Sequence, residues 1–211
     1  MSNSDTRPLQ NSPVYEKICA RMNNRLGAVY SALYSFWSAR QAALGLHPDA
    51  NTVILHAEGT QFVCQNDSTR SPSELLDLLL PNRPYGGNSF GKALKAADTA
   101  ISKWWDDARP PVIIFLSDGI ASIADSAVRK LFQRTAQKGC VIVFNHNAPS
   151  QSHITCRKGL SFHAILFGPK NTSVRMRQMV AVALDAQSQT PKLMCAPSSF
   201  HEALDSVGSF L

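Results

Sequence analysis

The residues best placed to do chemistry stand where an apolar run ends. Val112 to Leu116 are five consecutive large apolar residues, and Ser117, Asp118 and Gly119 follow them directly. A run of this length, rich in β-branched residues, is typical of a strand buried on both faces of a parallel sheet. In α/β folds, ligands bind at the carboxyl edge of such a sheet. We therefore expect Asp118 to lie at the carboxyl edge of the sheet, where its carboxylate either serves as a ligand, an acid or a base, or caps the following loop.

A second group of reactive residues could bind zinc. Cys140, His146, His153 and Cys156 belong to residue types that are good Zn²⁺ ligands. Their spacing lacks the close pairs of structural zinc sites, so we do not predict a zinc site there. His163 lies inside another apolar run, and we predict a hydrogen-bonded core residue rather than a catalyst.

The glycine and serine patterns exclude several enzyme classes. Gly86, Gly87 and Gly91 do not form the Gly-x-Gly-x-x-Gly fingerprint of dinucleotide-binding folds, and no Walker lysine motif follows them. The sequence contains no Gly-x-Ser-x-Gly motif, which positions the nucleophile of many serine hydrolases. We therefore expect that the protein is not an enzyme.

The overall composition predicts a cytoplasmic α/β protein. The chain has 211 residues, of which 44% are hydrophobic and 17% charged, and no apolar run approaches the length of a membrane span. The amino terminus has no hydrophobic core typical of a secretory signal. Five cysteines without tight spacing suit free thiols in a reducing compartment. The net charge of +6 is spread along the chain, so we expect neither a nucleic-acid partner nor a membrane partner.

Hydrophobic periodicity and capping signals predict alternating helices and strands. Residues 1–13 are polar and are predicted to be disordered, and a single domain is predicted over 14–211. The predicted elements are a helix from Val14 to Ala43, strands 52–56 and 60–64 with Glu58 and Gly59 at their turn, a helix capped by Ser71 and Glu74, a helix over 89–105, a strand over 112–116, a helix ending at Lys138 with Gly139 as its cap, a strand over 161–167, a helix carrying Val174 to Leu184, and a helix beginning at Ser199. Such alternation favours a mostly parallel central sheet with helices on both faces.

Two of these segments together resemble a known family. GGNSFGKALKAAD, at 86–98, opens a helix, and VIIFLSDG, at 112–119, ends a strand. This order and spacing look like the von Willebrand factor type A (vWA) domain. RLGAVYSALYSFWSAR resembles the first helix of that family and FHAILFG its penultimate strand, while PSSFHEALD, at 197–205, resembles the tails of intracellular fungal vWA proteins. The resemblance extends over nearly everything from Arg21 onward.

The resemblance implies a Rossmann-like three-layer fold with a metal-ion-dependent adhesion site at the carboxyl edge of its sheet. Asp118 matches the aspartate ligand of the family, Asn88 stands where the family has threonine, and Ser89 follows it. An asparagine oxygen can also ligate Mg²⁺ or Ca²⁺. The Asp-x-Ser-x-Ser ligands of the family and the central strand before them are missing from this sequence. We therefore expect an amino-terminally truncated vWA fold with a degenerate site that binds Mg²⁺ weakly or not at all.

The segment Cys140 to Arg157 departs from the family pattern. Gly139 and Lys158 would join naturally without it, so 140–157 is interpreted as an insertion, for which a retained intron is one explanation. Considered apart from the family, CVIVFN within it is an equally good strand and a candidate to replace the missing central strand. The sequence leaves both interpretations open.

The function implied by the resemblance is protein binding without catalysis. The partner-facing edge is predicted to comprise Ser117, Asp118, Gly119, Gly87, Asn88 and Ser89. A carboxylate of the partner protein would complete the coordination shell of a bound ion. The alternatives are a Rossmann-like hydrolase or other enzyme that uses Asp118 at the strand end, and a truncated gene product without function.

Overall fold

The computed structural model describes residues 7–44, 49–83, 87, 89–105, 109, 111–117, 125–136, 141–144, 160–166 and 174–188. Within them, the helices are α1 Tyr15–Cys19, α2 Arg25–Leu44, α3 Pro72–Leu79, α4 Phe90–Trp104, α5 Asp125–Ala136 and α6 Val174–Ser188. The strands are β1 Asn51–His56, β2 Thr60–Asp67, β3 Val112–Ser117, β4 Val141–Phe144 and β5 Leu160–Leu166. The predicted cap at Gly139 and the helix predicted from Ser199 lie outside the described residues.

The strands form two sheets, so the predicted mixed α/β class is confirmed. β1 and β2 form the predicted hairpin, and β3, β5 and β4 form a parallel sheet in that order. The register of the parallel sheet pairs Val112 of β3 with Ser161, and Val141 of β4 with Leu160. The finer assignment to a three-layer vWA fold stays a prediction. None of the described helices combines the length and the apolar character that a membrane span requires.

The contacts divide the chain into two compact units. Among the described residues, one unit contains 7–44, 49–53 and 62–83, and is called the helical unit here. The other contains the hairpin tip 54–61 and the described residues from Gly87 to Ser188, and is called the sheet unit. The prediction of one domain over 14–211 stays a prediction.

The helical unit is held together by the apolar face of α3. Ser71 caps this helix in a complete capping box, as predicted: its hydroxyl accepts a bond from the backbone N–H of Glu74, whose carboxylate accepts one from the N–H of Ser71. Leu75, Leu76 and Leu79 of α3 are buried at 3%, 0% and 0% exposure, as expected of residues spaced along one face of a helix. α3 packs against α2 within this unit.

The predicted continuous helix from Val14 to Ala43 is wrong, because the chain breaks it between α1 and α2. The side chain of Asn24 accepts hydrogen bonds from the backbone N–H groups of Leu26 and Gly27, at 3.0 and 3.2 Å, and so caps a new helix. Asparagine is among the preferred capping residues because its oxygen satisfies donors that a helix start leaves free. The apolar period continues through the break, which explains why periodicity alone did not reveal it.

The core of the sheet unit lies where α4, α5 and α6 pack with the parallel strands. Its larger buried side chains are Phe90, Leu94, Phe115, Val128, Leu131, Leu160, Phe162 and Met179. Two polar contacts also join α5 to α6: Arg129 bonds Asp185 at 2.5 Å, and Gln178 donates to Asp125 at 2.9 Å. The helix predicted over 89–105 and the strand predicted over 161–167 are confirmed to within one residue at each end. The helix predicted to carry Val174 is confirmed as α6.

The expectation that β3 is buried on both faces is wrong. Val112 is 37% exposed, and only Phe115 and Ser117 of this strand are buried. Within the described sheet β3 lies at an edge and has β5 as its one neighbour, so less of it is covered than in a central strand.

The segment 141–144 forms a strand. This agrees with the interpretation of CVIVFN, within 140–157, as a strand. β4 lies at the other edge of the described sheet, beyond β5, so it does not replace a missing central strand. Residues 145–157 lie outside the described residues, and the interpretation of 140–157 as an insertion stays a prediction. The described residues before Asn51 form helices and turns.

Candidate functional site

Three of the six residues predicted for the partner-facing edge are described. They are Gly87, Ser89 and Ser117. Asn88, Asp118 and Gly119 lie outside the described residues. The zinc candidates, Cys140, His146, His153 and Cys156, also lie outside them. The site is therefore built here from the strand and helix ends that carry the first three residues.

Ser89 fixes the start of α4. Its backbone is extended, with φ −132° and ψ 95°, and its hydroxyl accepts a bond from the backbone N–H of Lys92 at 3.4 Å. Phe90, the next residue, has 0% exposure. The cap and the buried ring together hold the amino end of α4 in place. The hydroxyl that the vWA resemblance assigns to the site thus has a structural role.

A ring contact brings the start of α4 to the carboxyl end of β3. The rings of Phe90 and Phe115 meet edge to face, with centroids 5.0 Å apart and planes at 77°. Edge-to-face packing at this distance is favourable for aromatic pairs. Phe115 precedes the buried Ser117 by two residues, so both side chains point to the same side of the strand. This contact places the start of α4, which Ser89 caps, beside the second half of β3, which ends at Ser117. The partner-facing edge itself stays a prediction.

The hairpin turn is a third component of this edge, which the sequence reasoning missed. The His56 ring stacks on Phe115 at 5.2 Å and meets Phe90 edge-on at 6.1 Å. Two residues later, the Glu58 carbonyl oxygen accepts a bond from the Lys92 ammonium at 2.6 Å. A Cβ added at Gly87 would lie 4.0 Å from Cγ of Glu58. The turn therefore contacts both the start of α4 and the loop that precedes it.

The sequence carried one signal for this role. Glu58 is an exposed carboxylate in a predicted turn, and exposed turns often carry binding residues. Nothing in its spacing relates it to Lys92, which lies 34 residues later. We call the turn 57–59, the loop residues Gly87 and Ser89, Lys92 and the end of β3 the recognition edge.

The described part of the recognition edge carries one carboxylate, that of Glu58, and one ammonium, that of Lys92. No group of three histidine, cysteine, aspartate or glutamate residues close enough to hold a metal occurs in the part of the chain that the structure describes. The Lys92 ammonium already places a positive charge on the Glu58 carbonyl, and like charges in close proximity repel. Mg²⁺ binding therefore stays a prediction about Asp118 and Asn88.

His163 lies in the core of the sheet unit. Its side chain is in the middle of β5, between Ile114 of β3 and Phe144 of β4 in register, with 2% exposure. Its predicted place in the core is confirmed.

The comparisons with known proteins add no relative. No family model matches the chain, and no curated protein matches it. The resemblance to vWA domains therefore rests on the motifs within the sequence.

Proposed function

We propose that this chain is a non-enzymatic protein-interaction module of vWA type that binds its partner at the recognition edge. The observation that carries the proposal is the contact between Phe90 and Phe115, at 5.0 Å. It supports one continuous edge for the loop before α4 and the end of β3, which are the two segments that the resemblance assigns to binding. In the sequence, Asp118 directly follows Ser117.

The chemistry of the described edge favours binding over catalysis. The Ser89 hydroxyl caps a helix and Ser117 is buried, so neither serine serves as a nucleophile in the proposal. Glu58 and Lys92 are exposed to solvent and offer one charge of each sign. Charged groups at a rim steer a partner and fix its orientation more than they add affinity. An acidic side chain of the partner would find Lys92 with or without a bound ion.

A magnesium titration tests the metal part of the proposal. ¹⁵N-labelled protein would be followed by NMR and by thermal shift up to millimolar Mg²⁺, beside Asp118→Ala. We expect weak shifts confined to 87–89 and 117–119 that disappear in the variant. The matched control is Glu16→Ala, which removes an exposed carboxylate from α1 of the helical unit. No response at millimolar ion would reduce the proposal to metal-free binding.

A charge-reversal experiment tests the binding part. An acidic peptide and a basic peptide of equal length would be titrated into the wild type, Lys92→Glu and the control Lys95→Glu, which changes an exposed lysine in the same helix. We expect the acidic peptide to shift signals of 57–59 and 87–92, and Lys92→Glu alone to weaken that response. Equal responses of the two variants would contradict the assignment. Turnover of any substrate that is lost in Asp118→Ala would favour the enzyme alternative instead.

A further inference from the structure

The link between α1 and α2 bends where the sequence would permit a straight helix. Its residues, Ala20 to Asn24, include neither glycine nor proline. Ile18, Met22 and Leu26 follow one another at four-residue steps, so an apolar stripe continues through the link. In the structure the backbone N–H of Met22 still makes a helical bond to the carbonyl of Ile18, at 2.7 Å. The chain turns after it, and Asn24 caps α2 as a separate helix.

Residues 7–19, called the arm, pack onto the helical unit through this bend. The backbone N–H of Leu9 donates to the hydroxyl of Ser31 in α2 at 3.3 Å. Lys17 pairs with Asp77 of α3 at 2.6 Å, and Ile18 is fully buried. These contacts join the arm to the surfaces of α2 and α3, and none of them requires that arm and surface belong to the same chain.

The bend depends on the absence of a side chain at Gly27. A Cβ at this position would lie 1.8 Å from the carbonyl oxygen of Met22 and 3.0 Å from Cγ of Pro8. Both neighbours belong to the link or the arm. Any side chain at Gly27 therefore opposes the folded-back arm. A straight helix through 20–27 accepts alanine there more readily than glycine.

We infer that the arm and its seat on α2 and α3 form an interface between two copies of this chain, which exchange arms. The link straightens to join α1 and α2 into one helix, and each arm makes on its partner the contacts that it makes on its own chain in the monomer. Exchange of identical elements preserves the contacts of the arm with α2 and α3. Its cost is the entropy of association and the loss of the Asn24 cap when the link straightens. The monomer is therefore favoured in dilute solution and the dimer at high concentration.

The contacts in the structure favour a second copy over an unrelated partner. The surface of α2 and α3 accommodates the ring of Pro8, the N–H of Leu9 and the ammonium of Lys17 in one arrangement. A second copy supplies the same three groups in the same order. The helical period of the link further provides a straight conformation that spans the two copies.

The first test compares Gly27→Ala with wild type by size-exclusion chromatography coupled to light scattering over a wide range of concentration. Because the added Cβ crowds Met22 and Pro8 in both folded-back monomers, we expect the dissociation constant of the dimer to fall about tenfold or more. Gly59→Ala is the matched control, since a Cβ there meets nothing within 4 Å. Asn23→Gly disfavours the straight helix and is expected to weaken the dimer. A folded Gly27→Ala protein that stays as monomeric as wild type would overturn the inference.

A crosslinking experiment decides the question even if Gly27→Ala does not fold. Chains carrying Leu9→Cys are mixed with chains carrying Ser31→Cys, concentrated and oxidised. Because these positions meet across the arm contact, arm exchange predicts a crosslinked dimer whose disulfide joins the two new cysteines in a peptide map. A single chain with both substitutions verifies that the bond can form, and Leu9→Cys mixed with Thr99→Cys measures random crosslinking. Bond formation in the double variant without a specific product in the mixture would refute exchange.

Discussion

The starts of α3 and α2 show two ways in which this chain begins a helix. α3 begins with a capping box completed within four residues, in which Ser71 and Glu74 satisfy each other's donors. α2 also begins with a side-chain cap, at Asn24, but its bend further depends on the close approach of Gly27 to Met22. The first start was predicted from sequence and the second was not. The capping box of α3 leaves a signal in two residues at a fixed spacing, whereas the single Asn24 cap lies inside an apolar period that continues through the break.

The start of α4 combines a side-chain cap at Ser89 with a buried ring at Phe90. Truncating that ring is the change with the largest expected effect. Phe90 is fully buried against Phe115. Phe90→Ala should lower the free energy of unfolding by about 3–5 kcal/mol, as for other large buried aromatics, measured by urea denaturation. Ser89→Ala, which removes the cap, should cost about 1 kcal/mol. Trp104→Ala, at the 40% exposed end of the same helix, is the control. Equal costs for Phe90→Ala and Ser89→Ala would contradict this account.

Removal of the α3 cap should have a smaller effect. Ser71→Ala is expected to lower the free energy of unfolding by about 1 kcal/mol, because the N–H of Glu74 loses its acceptor. Ser71→Asp retains an acceptor and should restore most of the loss. Ser73→Ala changes an exposed serine one residue into the helix and controls for serine content. If Ser71→Ala and Ser73→Ala were equally stable, the local explanation of this start would fail.

The pH dependence of the same cap should be smaller still. The hydroxyl and the backbone N–H of Ser71 donate to the Glu74 carboxylate and lower its pKa. A carboxyl group whose pKa is lowered by folding stabilises the protein above its unfolded pKa of about 4.3, and this contribution is lost as the pH falls through the folded value. Wild type should therefore exceed Glu74→Gln in stability at neutral pH and converge with it in acid. A gap that persists at low pH would contradict this assignment.

The smallest effect is expected at the hairpin turn. Lys92→Met removes the bond to the Glu58 carbonyl, which lies at the surface. Exposed contacts of this kind contribute little to global stability, so the midpoint of unfolding should stay unchanged. Amide exchange at Ala57 and Gly59 should become faster, because the turn loses its tie to α4. Lys95→Met, one turn further along α4, should leave the exchange of both amides as it is in wild type.

The sequence predicted the hairpin of β1 and β2 and the capping box of α3 because each depends on residues close together in the chain. The assignment of Ser89 and Ser117 to one edge stays a prediction, which the contact between Phe90 and Phe115 supports. The sequence did not predict the half-exposed β3, because burial depends on how many strands flank it. Nor did it place Glu58 in the recognition edge, because that contact joins residues distant in sequence.

The crowding at Gly27 also has a genetic consequence. Every glycine codon becomes an alanine codon by exchange of its second base. The packing between Gly27, Met22 and Pro8 is therefore one nucleotide substitution away from disruption. An alanine at this codon would crowd Met22 and Pro8 in every copy of the chain.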